Sequence, residues 1–351
     1  MLSSLCEKYG IVNYTINYDL TIDIDGNVDL VGKELKKLPL KFRHVKGNFI
    51  CYDNQLTSLE GCPKSVGGSF YCHNNQLTTL EGSPQTVEGH FYCSNNHLTT
   101  LEGSPQEVEG DFDCGNNQLT SLEGSPQTVG DNFNCADNQL TTLEGCPQEI
   151  KGSFSCSYNE LTTLEGSPQK VGGSFNCSNN QLTSLDGGPQ EIGEHFSCDY
   201  NQLITLEGSP QTVEGYFSCS YNQLTTLEGS PQKVEGQFYC DNNKLTTLKG
   251  CTQIVGDSFI CEYNELIDVK GFPERFYGIE ISIYDNPISE IFYLFPSDKW
   301  IELTESLNEH DPIRGNLIIL QRLEQCFYDL GLDVPKKLQN IKFLNYKVRE
   351  F

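Results

Sequence analysis

The chain has 351 residues, with 48 Asp and Glu against 23 Lys and Arg and a formal net charge of −25. That balance excludes a protein that grips nucleic acid through its phosphates, which takes basic side chains; it suits solubility and a basic partner. No stretch reaches the roughly 18 apolar residues of a membrane-spanning helix, and the opening MLSSLCEKYG carries Glu7 and Lys8 where a leader would be apolar, so a cytoplasmic protein with reduced cysteines is expected.

The pattern predicts a short helix over Leu2 to Tyr9. Strands follow in YTINYDLTIDIDGNVDL (14–30), whose β-branched alternation breaks at Asp25 and Gly26. Residues 1–25 are read as an N-terminal cap. From residue 26 a 21-residue period takes over, and cysteines return at that spacing from Cys51 to Cys261. A typical unit, GHFYCSNNHLTTLEGSPQEVE (89–109), carries the skeleton F-x-C-x-x-N-x-L-x-x-L. A worn unit at 26–46 precedes the regular ones, with Val28 in the Phe place, Leu30 in the Cys place, and Leu35 and Leu38 in the leucine places. Another starts at Asp257, and IEISIYDNPI (279–288) is a last half-unit that keeps Asn286. Repetition overrides the domain count that length suggests, because each coil buries its apolar face only against its neighbours.

F-x-C reads as a strand, with Phe91 and Cys93 inward and Tyr92 and Ser94 outward. Asn54, Asn75 and Asn96 turn the chain, and their amides are expected to bond the backbone of adjacent coils. Leu98, Leu101 and Val108 complete the interior, while Gly103 and Pro105 bend the chain. Twenty-one residues leave little room for a helix, so the far side of each coil should be extended or turn-like. A column of parallel thiols about 5 Å apart fits a disulfide torsion poorly and does not converge on a zinc ion. The cysteines are therefore read as small buried hydrophobes.

After Pro287 the period is lost. SDKWIELTESL (297–307) predicts a helix with Ser297 as its N-cap, and NLIILQRLEQCFYDLG (316–331) a second, ended by Gly331. The remainder is amphipathic and carries Lys336, Lys337, Lys342, Lys347 and Arg349. The expected division is a solenoid over 26–278, then a half-repeat and small helical cap over 279–351.

The skeleton resembles the leucine-rich repeat, L-x-L-x-x-N/C-x-L, with Phe and Cys in the first two leucine positions. The match runs from residue 26 to about 288. Its short NNQLTSLEG-type units are similar to those of bacterial effectors and, more closely, to leucine-rich repeat proteins encoded by bacteriophages and giant viruses. The resemblance implies an α/β-type horseshoe, mainly strands and turns, with a parallel β-sheet on its concave face. It also implies a non-enzymatic protein-interaction module: a viral protein that binds and inhibits or redirects a host protein in the host cytoplasm, as a counter-defence factor does.

No phosphate-binding glycine loop, H-E-x-x-H or G-x-S-x-G appears in a fitting context. The six histidines (44, 73, 90, 97, 195 and 310) fall at different repeat positions and are expected on the surface. Neither catalysis, a metal nor a cofactor is expected. Two surface features remain. One is a row of carboxylates: Glu60, Glu81, Glu102, Glu123, Glu144, Glu165, Asp186, Glu207 and Glu228. It switches to Lys249 and Lys270, and it offers an alternative function, an acidic decoy that mimics nucleic acid toward a basic host protein. The other is aromatic decoration of outward strand positions, by Tyr71, Tyr92 and Tyr239 between Phe and Cys and by Tyr158, Tyr200, Tyr221 and Tyr263 two places after Cys. The interior hardly varies while these positions do, as a shaped recognition surface requires, and tyrosine is a good interface anchor. Paired threonines such as Thr78 and Thr79 form two further columns, one of them a candidate for bonding backbone.

Overall fold

Two short parallel strands per coil, not one, organise the repeat. The computed structural model describes residues 2–336, 338 and 341–349, and these fall into two compact units that divide between His195 and Phe196.

In the first unit a helix, Leu2–Lys8, precedes an antiparallel hairpin of Tyr14–Ile16 and Ile22–Ile24. The second hairpin strand then pairs in parallel with Phe42–Val45. This seats the N-terminal segment against a sheet edge that would otherwise be open. From there each coil contributes one strand of the F-x-C type, such as Phe91–Tyr92, and one ending in the core valine, such as Thr86–Val87. The F-x-C strands run from Val28–Asp29 to Phe175–Asn176 with Phe set against Phe, as in Phe112 opposite Phe91. The valine strands place Glu107 and Val108 opposite Thr86 and Val87. In these strands the valine is buried and the residue before it is exposed. Two residues are too few to display a strand period in sequence, so the far side of the coil reads only as extended.

Identical interior side chains form continuous columns. Phe49, Phe70, Phe91 and Phe112 stack with ring centroids 5.2 to 5.6 Å apart, and each is fully buried. Burying a phenylalanine contributes roughly 1.5–3 kcal/mol over leaving it exposed. None of the sixteen cysteines is held in a disulfide. Those of the column from Cys51 to Cys261 are fully buried. Burial pushes the pKa values of Cys93 and Cys114 up, well above the ordinary thiol, which keeps these two unreactive. The Cys135 Sγ donates to the Ser155 carbonyl on the next coil at 3.3 Å. The packing reading of the cysteines is the one the structure supports.

Each turn asparagine serves two coils. Asn117 Oδ1 accepts the Leu98 N–H at 3.0 Å, and its Nδ2 donates to the carbonyls of Cys93, Cys114 and Gly115 at 3.0 to 3.2 Å. One amide thus satisfies four backbone groups that have no water nearby. Gly103 sits at φ 90°, and a Cβ there would fall 2.6 Å from the Leu80 carbonyl carbon. Both the dihedral and the close approach of the neighbouring coil require glycine.

In the second unit the F-x-C strands Phe196–Ser197, Phe217–Ser218, Phe238–Tyr239 and Phe259–Ile260 lead to Ile281–Ser282 of the half-repeat. Asn286 keeps its role, donating to the Cys261 carbonyl at 2.9 Å. The segment beyond is not purely helical, contrary to expectation. Helices Trp300–His310 and Leu320–Asp329 accompany a small sheet of Ile313–Arg314, Leu317–Ile319 and Lys347–Arg349. Residues 317–319, expected to open the second helix, form a strand. Gly315 turns the chain at φ 58°, and Ile318 pairs with Ile313. Ser297 does not cap a helix: it lies inside a 3-10 turn, Ser297–Lys299, whose N-cap position is Pro296. Gly331 does stop the second helix, at φ 68°, its N–H donating to the Tyr328 carbonyl at 3.0 Å. Phe295 stacks on Phe327 at 4.1 Å, and the Tyr346 hydroxyl donates to the Ile267 carbonyl at 2.8 Å. The C-terminal segment is thereby fastened to the last coils of its unit. Lys337 lies outside the described residues.

Candidate interaction surface

Side chains on either side of the core cysteine stand outward on the F-x-C sheet, because strand residues alternate. In the first unit they gather Tyr52, Tyr71, His73 and Tyr92, with His90, just before the strand phenylalanine, 5.6 Å from Tyr92. Tyr71 and Tyr92 meet edge to face at 5.3 Å, and His73 stacks on Tyr52 at 4.4 Å. The Tyr92 hydroxyl donates to Asp111 Oδ2 at 2.8 Å. Burial, and then that bond to a carboxylate, push the Tyr92 phenol up. Burial also raises the Asp111 carboxyl, but bonds from Tyr92 and Asn132 outweigh it and hold its pKa below the ordinary value. His73 stands outward but half-buried, and burial lowers its pKa. Its membership in this cluster was signalled in sequence only by an aromatic, Tyr52, at the equivalent position one coil earlier.

The position two places after each cysteine of the column from Cys51 to Cys261 is left-handed throughout. Asn74, Asn95 and Asn116 have φ of 51°, 54° and 50°, and Tyr158, Tyr200, Tyr221 and Tyr263 have 55°, 54°, 55° and 50°. Left-handed backbone costs an ordinary residue roughly 1–2 kcal/mol, while Asn and Asp, with short polar side chains that bond locally, adopt it far more readily. The asparagines also bond along the row, as Asn74 Nδ2 does to Asp53 Oδ1 at 2.7 Å. The four tyrosines are 62, 51, 44 and 54% exposed. Tyr200 and Tyr221 stack face to face at 4.2 Å and 9°. Backbone strain is thus accepted here for side chains that bury little of their own surface.

Beside that stack in the second unit lie Asp199, Ser218, Ser220 and Asp241, with Tyr216 and Tyr239 at 6.1 Å from each other. Burial raises the Asp199 carboxyl above its ordinary range, opposed by bonds from Ser218, Ser197 and Ser220. Tyr239 is only partly exposed.

Every carboxylate of the acidic row, Glu60 to Asp186 in the first unit and Glu207 and Glu228 in the second, is exposed. Thr79 and Thr100 Oγ1 accept the N–H of Glu81 and Glu102 at 3.0 and 3.2 Å. The second threonine of each pair is therefore a turn lock, and only the first stands free on the surface. Lys249 caps the row by pairing with Glu228 at 2.7 Å, an exposed pair that solvent and salt screen. Among the described residues Glu309, His310 and Asp329 bring possible metal-ligand atoms within 4.8 Å of one another. Hydrogen bonds to Asp329 from Ser306 at 2.8 Å and with His310 at 2.6 Å already account for that grouping.

No family profile matches the chain, and no curated protein matches its sequence. Solved structures do. The leucine-rich repeat domain of APL1 is 14% identical, covers 74% of this chain and 73% of its own, and superposes with a TM-score of 0.52. A leucine-rich effector protein of Yersinia pestis, YopM, is 18% identical over 74% of this chain and 83% of its own, with a TM-score of 0.46. A domain of InlJ from Listeria monocytogenes that includes a cysteine ladder is 19% identical over 71% and 69%, with a TM-score of 0.38. The APL1 likeness shows the fold, a leucine-rich-repeat solenoid of parallel strands.

Proposed function

We propose that the chain is a non-enzymatic recognition solenoid. It binds a protein through the outward tyrosines Tyr71, Tyr92, Tyr158, Tyr200, Tyr221, Tyr239 and Tyr263. One observation carries this reading. Tyr158, Tyr200, Tyr221 and Tyr263 occupy left-handed positions that the rest of the row gives to Asn or Asp, and they remain exposed there. Large aromatic side chains on a rigid scaffold are what interface anchors require. The partner is a host protein in the host cytoplasm, inhibited or redirected by a viral protein; the support for this part is the similarity of the NNQLTSLEG-type units to those of viral repeat proteins. Affinity capture from host lysate tests it. The native chain should retain a stoichiometric protein that Tyr200→Asn/Tyr221→Asn loses. Undiminished capture by that variant contradicts the choice of face.

The uniformly exposed carboxylate row favours a second reading, an acidic decoy for a basic host protein. Glu-to-Gln changes at Glu102, Glu123 and Glu144 would then weaken capture, and affinity would drop steeply with salt. Salt-independent capture sinks it.

A further inference from the structure

The tyrosine stack of the second unit borders an acidic floor. Asp199 and Asp241 occupy the position after the core cysteine, two coils apart, with Ser220 between them. Asp199 Oδ1 accepts the Ser218 hydroxyl at 2.5 Å and the Ser220 N–H at 2.8 Å, and its Oδ2 accepts the Ser197 hydroxyl at 2.9 Å. The Ser220 hydroxyl donates to Asp241 Oδ1 at 2.5 Å, and the Asn242 amide to Asp241 Oδ2 at 2.8 Å. A carboxylate offers about four acceptor directions, so Asp241 keeps half of them for a visitor while Asp199 is nearly saturated. Asp199 therefore supplies fixed negative charge, and Asp241 supplies the open acceptors.

Aromatic rings line this floor. Tyr200 and Tyr221 flank it at the left-handed position after the strand, and Tyr216 and Tyr239 flank it on the strand side. Burial first raises the phenols of Tyr200, Tyr216 and Tyr239; the neighbouring Tyr221 comes next for Tyr200, and nearby carboxylates add to all three. Asp199 acts on the first two and Asp241 on the first and third. The outward residues of these coils on the strand and its following turn (Tyr216, Ser218, Ser220 and Tyr221, then Gln237, Tyr239, Asp241 and Asn242) include no Lys or Arg. No cation from these positions occupies the floor.

We propose that this surface holds the guanidinium of an arginine on a partner segment, its plane against tyrosine and its N–H groups on Asp241. This deepens the protein-binding reading and rests on it. A guanidinium is planar, stacks on aromatic faces and meets a carboxylate with two parallel bonds, whereas an ammonium offers only a point charge. Face-to-face tyrosines beside fixed carboxylates match the first cation better than the second.

The probes are two fluorescein-labelled peptides of equal charge, Gly-Arg-Gly-Arg-Gly and Gly-Lys-Gly-Lys-Gly, so the general field of an acidic chain does not separate them. Fluorescence anisotropy against the full chain should give the arginine peptide an affinity about tenfold higher. The preference should fall to near parity in Tyr200→Ala/Tyr221→Ala, whose side chains are exposed, and in Asp241→Asn. It should persist in Glu123→Gln. Equal binding of both peptides by the native chain overturns the proposal, as does a preference that survives both floor and wall changes. Tyrosine-dependent capture of a partner by a chain without arginine preference would remove the arginine assignment and leave the protein-binding reading in place.

Discussion

Two aromatic groups stand outward on the F-x-C strands or at the turns that follow them, and they differ in what holds them. In the first unit Tyr52, Tyr71, His73 and Tyr92 pack on one another half-buried, and Tyr92 is tied to Asp111. In the second, Tyr200 and Tyr221 stack on each other, exposed, from left-handed backbone. The first group stabilises the coils that carry it. The second group stabilises little and strains its own backbone, and the proposed binding role rests mainly on that difference. Exposure and dihedral together separate these cases; the tyrosine count does not.

The contrast is sharpest in stability. Tyr92→Ala should destabilise by about 2–3 kcal/mol, since it removes ring packing and a bond to a charged acceptor; chemical denaturation reads this, and a loss below about 0.5 kcal/mol, typical of an ordinary surface change, would erase the distinction between the groups.

A smaller effect of opposite sign in the two regions concerns pH. Asp111 has a folded pKa below the ordinary 3.8. Its contribution is therefore present above that value and is lost as pH falls through the depressed pKa. Asp199 has a folded pKa above 3.8. Its proton is held more tightly in the folded chain, so stability falls as pH rises from 3.8 through the raised value. Asp111→Asn should then lower stability at neutral pH with a cost that fades in acid. Asp199→Asn should raise it at neutral pH with a gain that fades in acid. Denaturation midpoints at pH 3, 5 and 7, chosen to span roughly the ordinary carboxylate range, check both; parallel profiles would mean that the two carboxylates share one environment.

Much of this was legible beforehand, for reasons that differ by residue. Phe91, Cys93, Leu98 and Leu101 announce themselves because a stacked interior needs the same volume at the same place in every coil. Asn117 was readable because a buried turn needs an amide that donates and accepts at once. Thr86–Val87 was not, since a two-residue strand leaves no period. Leu317–Ile319 was misread because an apolar run of that length suits helix and strand equally, and Gly315 decides between them. The tyrosines stand out in the sequence by their variation, but the dihedral they occupy, which asparagine adopts more readily than tyrosine, is a property of the backbone.

The most direct test is Tyr158→Asn, at a position where no stacking partner among the described residues offsets the backbone cost. Replacing a strained tyrosine by the residue that its row prefers should raise stability by about 0.5–1 kcal/mol in a urea melt while capture of the partner weakens. A variant less stable than the native chain would show that the tyrosine is held for folding, and would contradict the account.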